Sequence, residues 1–275
     1  DLERLNAPFA GEIPLNGRKP SPAKRLRDRL ARKQQEKASG QIVVKEKNRN
    51  MINEAFRVVR TNLEFMTGSG GETKVIMVTS FNPGSGKTFL TVNLAASLAI
   101  KGKRVIALDL DLRRASLSAY VSSPHTGLSN YLAGQQMELK SHIAHPEACP
   151  ALDILPVGTL PPNPTELLFS ERLTDLIDKF RNEYDYVFID CPPVEIVADA
   201  AIIGKLADMT LFVARAGLLE RSMIPEIDRL YEEDKYRKLT VVLNGTETAY
   251  GKYGYHRYGY RYGYNYGYGN YVSTK

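Results

Sequence analysis

"MVTSFNPGSGKTFLTVNLAASLA", residues 77–99, joins an apolar run to a helical one through a loop of glycines, a lysine and a threonine. Gly84 and Gly86 let the backbone come close to a phosphate group, and the first amides of the helix donate to its oxygens. Lys87 adds a cation, and Thr88 offers a hydroxyl to Mg²⁺. The segment Pro83, Gly84, Ser85, Gly86, Lys87, Thr88 and Phe89 is therefore the candidate binding loop for nucleotide phosphates. It departs from the strict glycine-rich pattern at its first position, where Phe81 stands.

On either side of this loop, "KVIMVTS", "RVIALDL", "LDILPVG", "YDYVFID", "ADMTLFVAR" and "KLTVVLN" are apolar runs of strand length. Helical stretches alternate with them, one from about Lys87 to Lys101 and another across "TELLFSERLTDLIDKFRN". Strands that are apolar throughout and separated by helices predict an α/β fold, a mostly parallel sheet with helices on both faces. Ligands bind such sheets at the carboxyl ends of the strands. Ahead of the first run, "MINEAFRVVRTNLEFM" places Ile52, Ala55, Phe56, Val59, Leu63 and Met66 on one stripe of an amphipathic helix ended by Gly68, Gly70 and Gly71. Residues before Asn50 are polar and interrupted by Pro8, Pro14, Pro20 and Pro22, which reads as a linker with at most one basic helix. The expected division is a basic linker over 1–48, a nucleotide-binding domain over 49–247 and a tail over 248–275.

Three aspartates close two of the runs. "VIALDLDLRR" carries Asp109 and Asp111 two apart, on the same side of an extended chain, and "YVFIDCPP" carries Asp190. One acid at a strand end is common, but three in a domain with a phosphate loop are strong evidence for a nucleotide site that holds Mg²⁺. Lys87, Asp109, Asp111 and Asp190 are the candidate catalytic residues. Arg113 and Arg114 suit either phosphate charge or surface ion pairs, and Cys191, Pro192 and Pro193 suit a turn. His125, His142, His145 and His256 share no ligand spacing.

The chain has 275 residues, 43% of them hydrophobic, enough for one α/β core with polar ends. Two cysteines, Cys149 and Cys191, with no metal-type spacing fit a reducing compartment. No apolar run reaches the ~18 residues of a membrane span and no signal pattern opens the chain, which starts on Asp1. The net charge of +6 is uneven, with nine Lys and Arg against two acids between Arg18 and Lys37, a stretch suited to an anionic lipid surface, to nucleic acid or to solvent. Ten of the sixteen tyrosines crowd the C-terminus: Tyr250, Tyr253, Tyr255, Tyr258, Tyr260, Tyr262, Tyr264, Tyr266, Tyr268 and Tyr271. With recurring glycine and almost no aliphatic residue, the segment reads as a disordered tail. Its phenols suit stacking on single-stranded bases or service as a substrate, and composition does not choose.

Taken together these motifs resemble the bacterial tyrosine kinases of capsule and exopolysaccharide export. Ser80 to Thr88 looks like that family's Walker A, Val105 to Arg113 like its Walker A′, and Val187 to Pro192 like its Walker B. Glu54, Arg57 and Arg60 match its ExxRxxR oligomerisation motif; "GTLPPNPTELL" and the terminal tyrosines also fit, so the resemblance runs from about Glu12 to the end.

The resemblance implies an ATP-dependent protein-tyrosine kinase whose ten C-terminal tyrosines are phosphoacceptors, modified in trans within a ring of identical subunits. It implies ATP and Mg²⁺, with Thr88, Asp109 and Asp190 as metal candidates; how Asp109 and Asp111 divide metal holding and tyrosine orientation stays open. It further implies an upstream transmembrane co-polymerase region, a cognate tyrosine phosphatase, anionic lipid beside the basic linker, no nucleic acid, and a place on the cytoplasmic face of the inner membrane. The alternative is a switch ATPase of the kind that positions septa and chromosomes. Those proteins carry a lysine early in the loop, where this chain has Asn82 followed by Pro83.

Overall fold

The computed structural model describes residues 5–15, 41–68, 74–194 and 198–247. The basic stretch and the tyrosine-rich segment lie outside the described residues. Seven strands, β1 (Phe9–Pro14), β2 (Val75–Thr79), β3 (Val105–Asp109), β4 (Leu152–Leu155), β5 (Tyr186–Asp190), β6 (Met209–Arg215) and β7 (Thr240–Thr246), form one sheet. Their spatial order is β1-β7-β6-β2-β5-β3-β4, and every neighbouring pair is parallel. The connecting helices are α1 (Met51–Thr67), α2 (Lys87–Ala99), α3 (Leu128–Leu132), α4 (Pro164–Leu168), α5 (Glu171–Glu183), α6 (Ala198–Leu206) and α7 (Ile224–Glu232).

All five residues of β2 are buried, and their alternation builds two cores. Val75 and Met77 face one layer, with Leu173, Leu176, Ile177 and Phe180 of α5 and Ile203 of α6. Ile76 and Val78 face the other, with Phe56, Val59 and Leu63 of α1 and Leu90, Leu94 and Leu98 of α2. Two buried faces explain why the strands read as unbroken apolar runs. From β2 the chain crosses to β3, past the position later filled by β5, whereas from β5 it returns past β2 to β6. That reversal opens a crevice at the carboxyl ends of β2, β5 and β3.

Two expectations need correction. The segment read as a linker supplies β1, whose Ala10 and Ile13 are fully buried. β1 pairs with β7, and α1 lies across it: Asn62 Nδ2 donates to the Ala10 carbonyl at 2.8 Å, and a Cβ on Gly11 would come within 3.0 Å of Val59 Cγ2. Prolines bracket this strand without breaking it, because Pro8 precedes it and Pro14 ends it on the sheet edge. The single helix expected across "TELLFSERLTDLIDKFRN" is two. Ser170 adopts an extended backbone (φ −67°, ψ 140°) and its hydroxyl donates to the Leu167 carbonyl, so α4 ends and α5 begins afresh.

α1 forms as its stripe predicts. Asn50 caps its start by accepting from the Asn53 amide, and Gly68, at φ 77°, ends it.

Candidate nucleotide site

The loop leaves β2 at Ser80 and is tied internally: the Ser80 and Ser85 hydroxyls both donate to the Asn82 carbonyl at 2.8 Å. Gly84 and Gly86 hold φ of 79° and 93°, conformations that favour glycine. At Gly86 space is decisive too, since a Cβ would lie 2.1 Å from Asn244 Nδ2, which donates to the Ser85 carbonyl at 2.8 Å. Asn244 sits on β7, 159 residues away, and no local signal marked it. Phe81 packs edge-on against Phe212 at 4.8 Å, which accounts for a bulky residue where the strict pattern has glycine. Phe89 turns its ring to Phe56 of α1, so its side chain serves packing and only its backbone faces the loop's work. Pro83 and Gly84 form the exposed tip, whereas Ser85 and Lys87 are buried.

Lys87, Thr88, Asp109, Asp111 and Asp190 are brought together. Thr88 Oγ1 donates to Asp190 Oδ2 at 2.6 Å. Asp190 ends β5 and is paired in register with Val78 of β2 and Asp109 of β3, so the sheet itself sets the two carboxylates side by side. Asp109 is fully buried; its Oδ2 accepts from both the amide and the hydroxyl of Ser118 at 2.7 Å. Ser118 lies in a 3₁₀ turn (Ser118–Val121) and its hydroxyl also accepts from the Val157 amide, a positioning role the sequence did not announce. β3 ends at Asp109, so Asp111 lies just past the strand; its Oδ1 accepts from the Arg114 amide at 3.2 Å.

Burial pushes the Asp190 carboxyl up to about 7, against the bond from Thr88 and the charge of Lys87. Burial, with the Asp190 charge beside it, also holds Asp109 well above the usual carboxylate range, opposed by its two bonds from Ser118. Lys87 is shifted down by burial and partly restored by Asp190 and Asp111. Cys191 is raised by burial and by Asp190, which keeps it a thiol and fits a structural role. A hydroxyl beside two buried carboxylates, each with one oxygen, Oδ1, lacking a partner, fits a divalent cation. No cluster of three His, Cys, Asp or Glu ligands occurs among the described residues, so phosphate and water oxygens would complete the shell, as Mg²⁺ prefers.

Arg113 is committed elsewhere. Its Nε meets Asp199 Oδ2 at 3.0 Å and its Nη2 donates to Thr165, which in turn bonds Asp199, so it ties the loop after β3 to α4 and α6. Glu54, Arg57 and Arg60 lie apart from the site, along α1. Arg57 pairs with Glu54 and donates to the Glu46 and Asn48 carbonyls. Arg60 donates to the carbonyl and hydroxyl of Ser97, fastening α1 to α2.

A glycine loop opening a helix, a hydroxyl and paired strand-end carboxylates on a parallel sheet define a P-loop nucleotide-binding domain. Residues 73–216 match the AAA domain family. The chain is 35% identical over 209 residues to the tyrosine-protein kinase CpsD of Streptococcus agalactiae, covering 75% of this chain and 89% of that one. It is 38% identical over 211 residues to the tyrosine-protein kinase wzc of Salmonella typhimurium, covering 75% of this chain but only 29% of that protein. The kinase domain of the Escherichia coli tyrosine kinase ETK superposes with a TM-score of 0.71 at 28% identity, covering 97% of each chain. The chain belongs to the bacterial tyrosine-protein kinase family.

Proposed function

We propose that the chain is an ATP-dependent protein-tyrosine kinase serving capsule or exopolysaccharide synthesis, and that it phosphorylates its own C-terminal tyrosines in trans. The observation that carries this reading is the contact of Thr88 with Asp190 beside Asp109, at the head of a phosphate loop, in a chain of this family.

The loop amides and Lys87 hold and neutralise the β- and γ-phosphates of ATP. Thr88, Asp190 and Asp109 would hold Mg²⁺, which supplies further neutralisation of phosphate charge. Asp109 is enclosed and bound to Ser118, whereas Asp111 keeps 6% exposure, so Asp111 is the better placed of the two to orient an incoming phenol and take its proton. A phenol is mostly protonated at neutral pH, its pKa being about 10, so a nearby carboxylate helps as it leaves. Transfer breaks the bond between the γ-phosphorus and its bridging oxygen and forms one to the tyrosine oxygen, leaving ADP and phosphotyrosine.

The phosphoacceptors, from Tyr250 to Tyr271, belong to this proposal, as do a ring assembled through Glu54, Arg57 and Arg60, an upstream membrane-spanning co-polymerase region, a phosphatase and anionic lipid. So does a position on the cytoplasmic face of the inner membrane; among the described residues no helix is long and apolar enough to cross one. The test is mass spectrometry of the purified chain after incubation with Mg·ATP, beside Lys87→Met. Phosphotyrosine in the parent and at least a hundredfold less in the variant is expected, on the order of a lost charge contact to the transferred group. Near-parental labelling of a folded Lys87→Met would refute the assignment.

A further inference from the structure

One cation beside the loop has no hydrogen-bond or ion-pair partner among the described residues. Arg215 ends β6 half-buried, and among the described residues its side chain makes no hydrogen bond and no ion pair. Burial holds its pKa below the ordinary arginine value, with no carboxylate to offset it. A guanidinium kept partly out of water and unpaired is costly unless a ligand completes it.

Its surroundings say where that ligand lies. Arg215 is the register partner of Asn244, whose next residue, Gly245, sits at φ 77°. A Cβ on Gly245 would stand 2.6 Å from Arg215 Cζ, 2.7 Å from Nε and 2.9 Å from Nη1, so the guanidinium occupies the space that any other residue's side chain would fill. A Cβ on Gly86 would lie 3.8 Å from Arg215 Nη1. Arg215, Asn244, Gly245 and Gly86 thus form one wall of the loop on its β6–β7 side. The carboxylates lie on the opposite, β5–β3 side, and mark the γ-phosphate end of a bound nucleotide. A nucleotide with its γ-phosphate at those carboxylates would carry its nucleoside end toward the Arg215 side.

We propose that Arg215, seated over Gly245, is a nucleoside-binding residue, its planar guanidinium stacking on the base of the nucleotide. The inference rests on the Mg·ATP reading above. Isothermal titration of the whole chain with Mg·ADP and with Mg·tripolyphosphate separates the two, because tripolyphosphate has no base. Arg215→Met should weaken Mg·ADP by roughly five- to thirtyfold, the range for such a stacking contact, and leave tripolyphosphate within about twofold. Arg215→Lys, which keeps stem and charge but loses the plane, should also lose Mg·ADP affinity, and its unliganded thermal unfolding serves as the control for folding. Unchanged ADP affinity in Arg215→Met, equal losses for both ligands, or full recovery by lysine would each overturn the stacking role. A parent chain that binds neither ligand would instead overturn the Mg·ATP reading and this inference with it.

Discussion

Asp109 and Asp190 are buried side by side with one carboxylate oxygen each left without a hydrogen-bond partner, so ionising both places two like charges next to each other out of water. In the fold Asp190 keeps its proton up to about pH 7, whereas an unfolded aspartate releases it near 3.8, and Asp109 shifts the same way. Between those values the folded state binds more protons than the unfolded chain, so stability falls as pH rises across that window. Without nucleotide or metal, the thermal midpoint should therefore decline from pH 5 to pH 8. Asp109→Asn keeps an acceptor for Ser118 and removes the charge, so it should flatten that decline and stabilise the domain more at pH 8 than at pH 5 relative to the parent. Calorimetry at the two pH values decides, and parallel profiles for parent and variant would sink the argument. The same variant should lose any stabilisation by Mg²⁺.

β1 shows how a short edge strand is held by what surrounds it. Six residues cannot form a strand unaided, yet hydrogen bonds to β7 on one side and the apolar stripe of α1 above bury Ala10 and Ile13 completely. Ile13→Ala should cost about 2–4 kcal/mol in urea unfolding, the range for emptying a closed aliphatic site. A loss under 1 kcal/mol would show that the strand contributes little to the domain. α1 has a second duty, since Arg60 reaches Ser97 of α2 and Arg57 reaches the carbonyls of residues 46 and 48. Glu54, half-exposed, is therefore the residue of the proposed assembly motif best placed to meet a neighbour, while Arg57 and Arg60 would have to keep or exchange these bonds within the subunit on assembly.

Between subunits, charge sets the expected behaviour of the proposed ring. Each phosphate on tyrosine adds about −1.5 to −2 charges at neutral pH. The segment from Tyr250 to Lys275 carries Lys252, Arg257, Arg261 and Lys275 as its fixed cations, so about three phosphates reverse its sign. About 25 residues can extend at most ~85 Å, the span that reaction in trans would draw on. On that proposal, phosphorylated segments on neighbouring subunits repel one another and loosen the assembly. Light scattering should find larger assemblies for Lys87→Met and for phosphatase-treated protein than for fully phosphorylated parent, and equal masses in all three would end the proposal.

Local pattern made the nucleotide end of the molecule readable in advance. The glycine loop, Lys87 and Thr88 are contiguous; Asp109 and Asp190 terminate runs whose apolar continuity already declared a parallel sheet. Such signals survive in one dimension because backbone conformation and strand periodicity are short-range properties. What packing decided is long-range. Asn244 props the loop across 159 residues, Ser118 fixes Asp109 through a 3₁₀ turn, Asp199 captures Arg113, and Arg215 fills the space left by Gly245. β1 escaped because Pro8 and Pro14 read as breakers until β7 and α1 supplied the contacts that make an edge strand stable. None of these contacts leaves a periodic trace, since each depends on where the sheet order places residues remote in sequence.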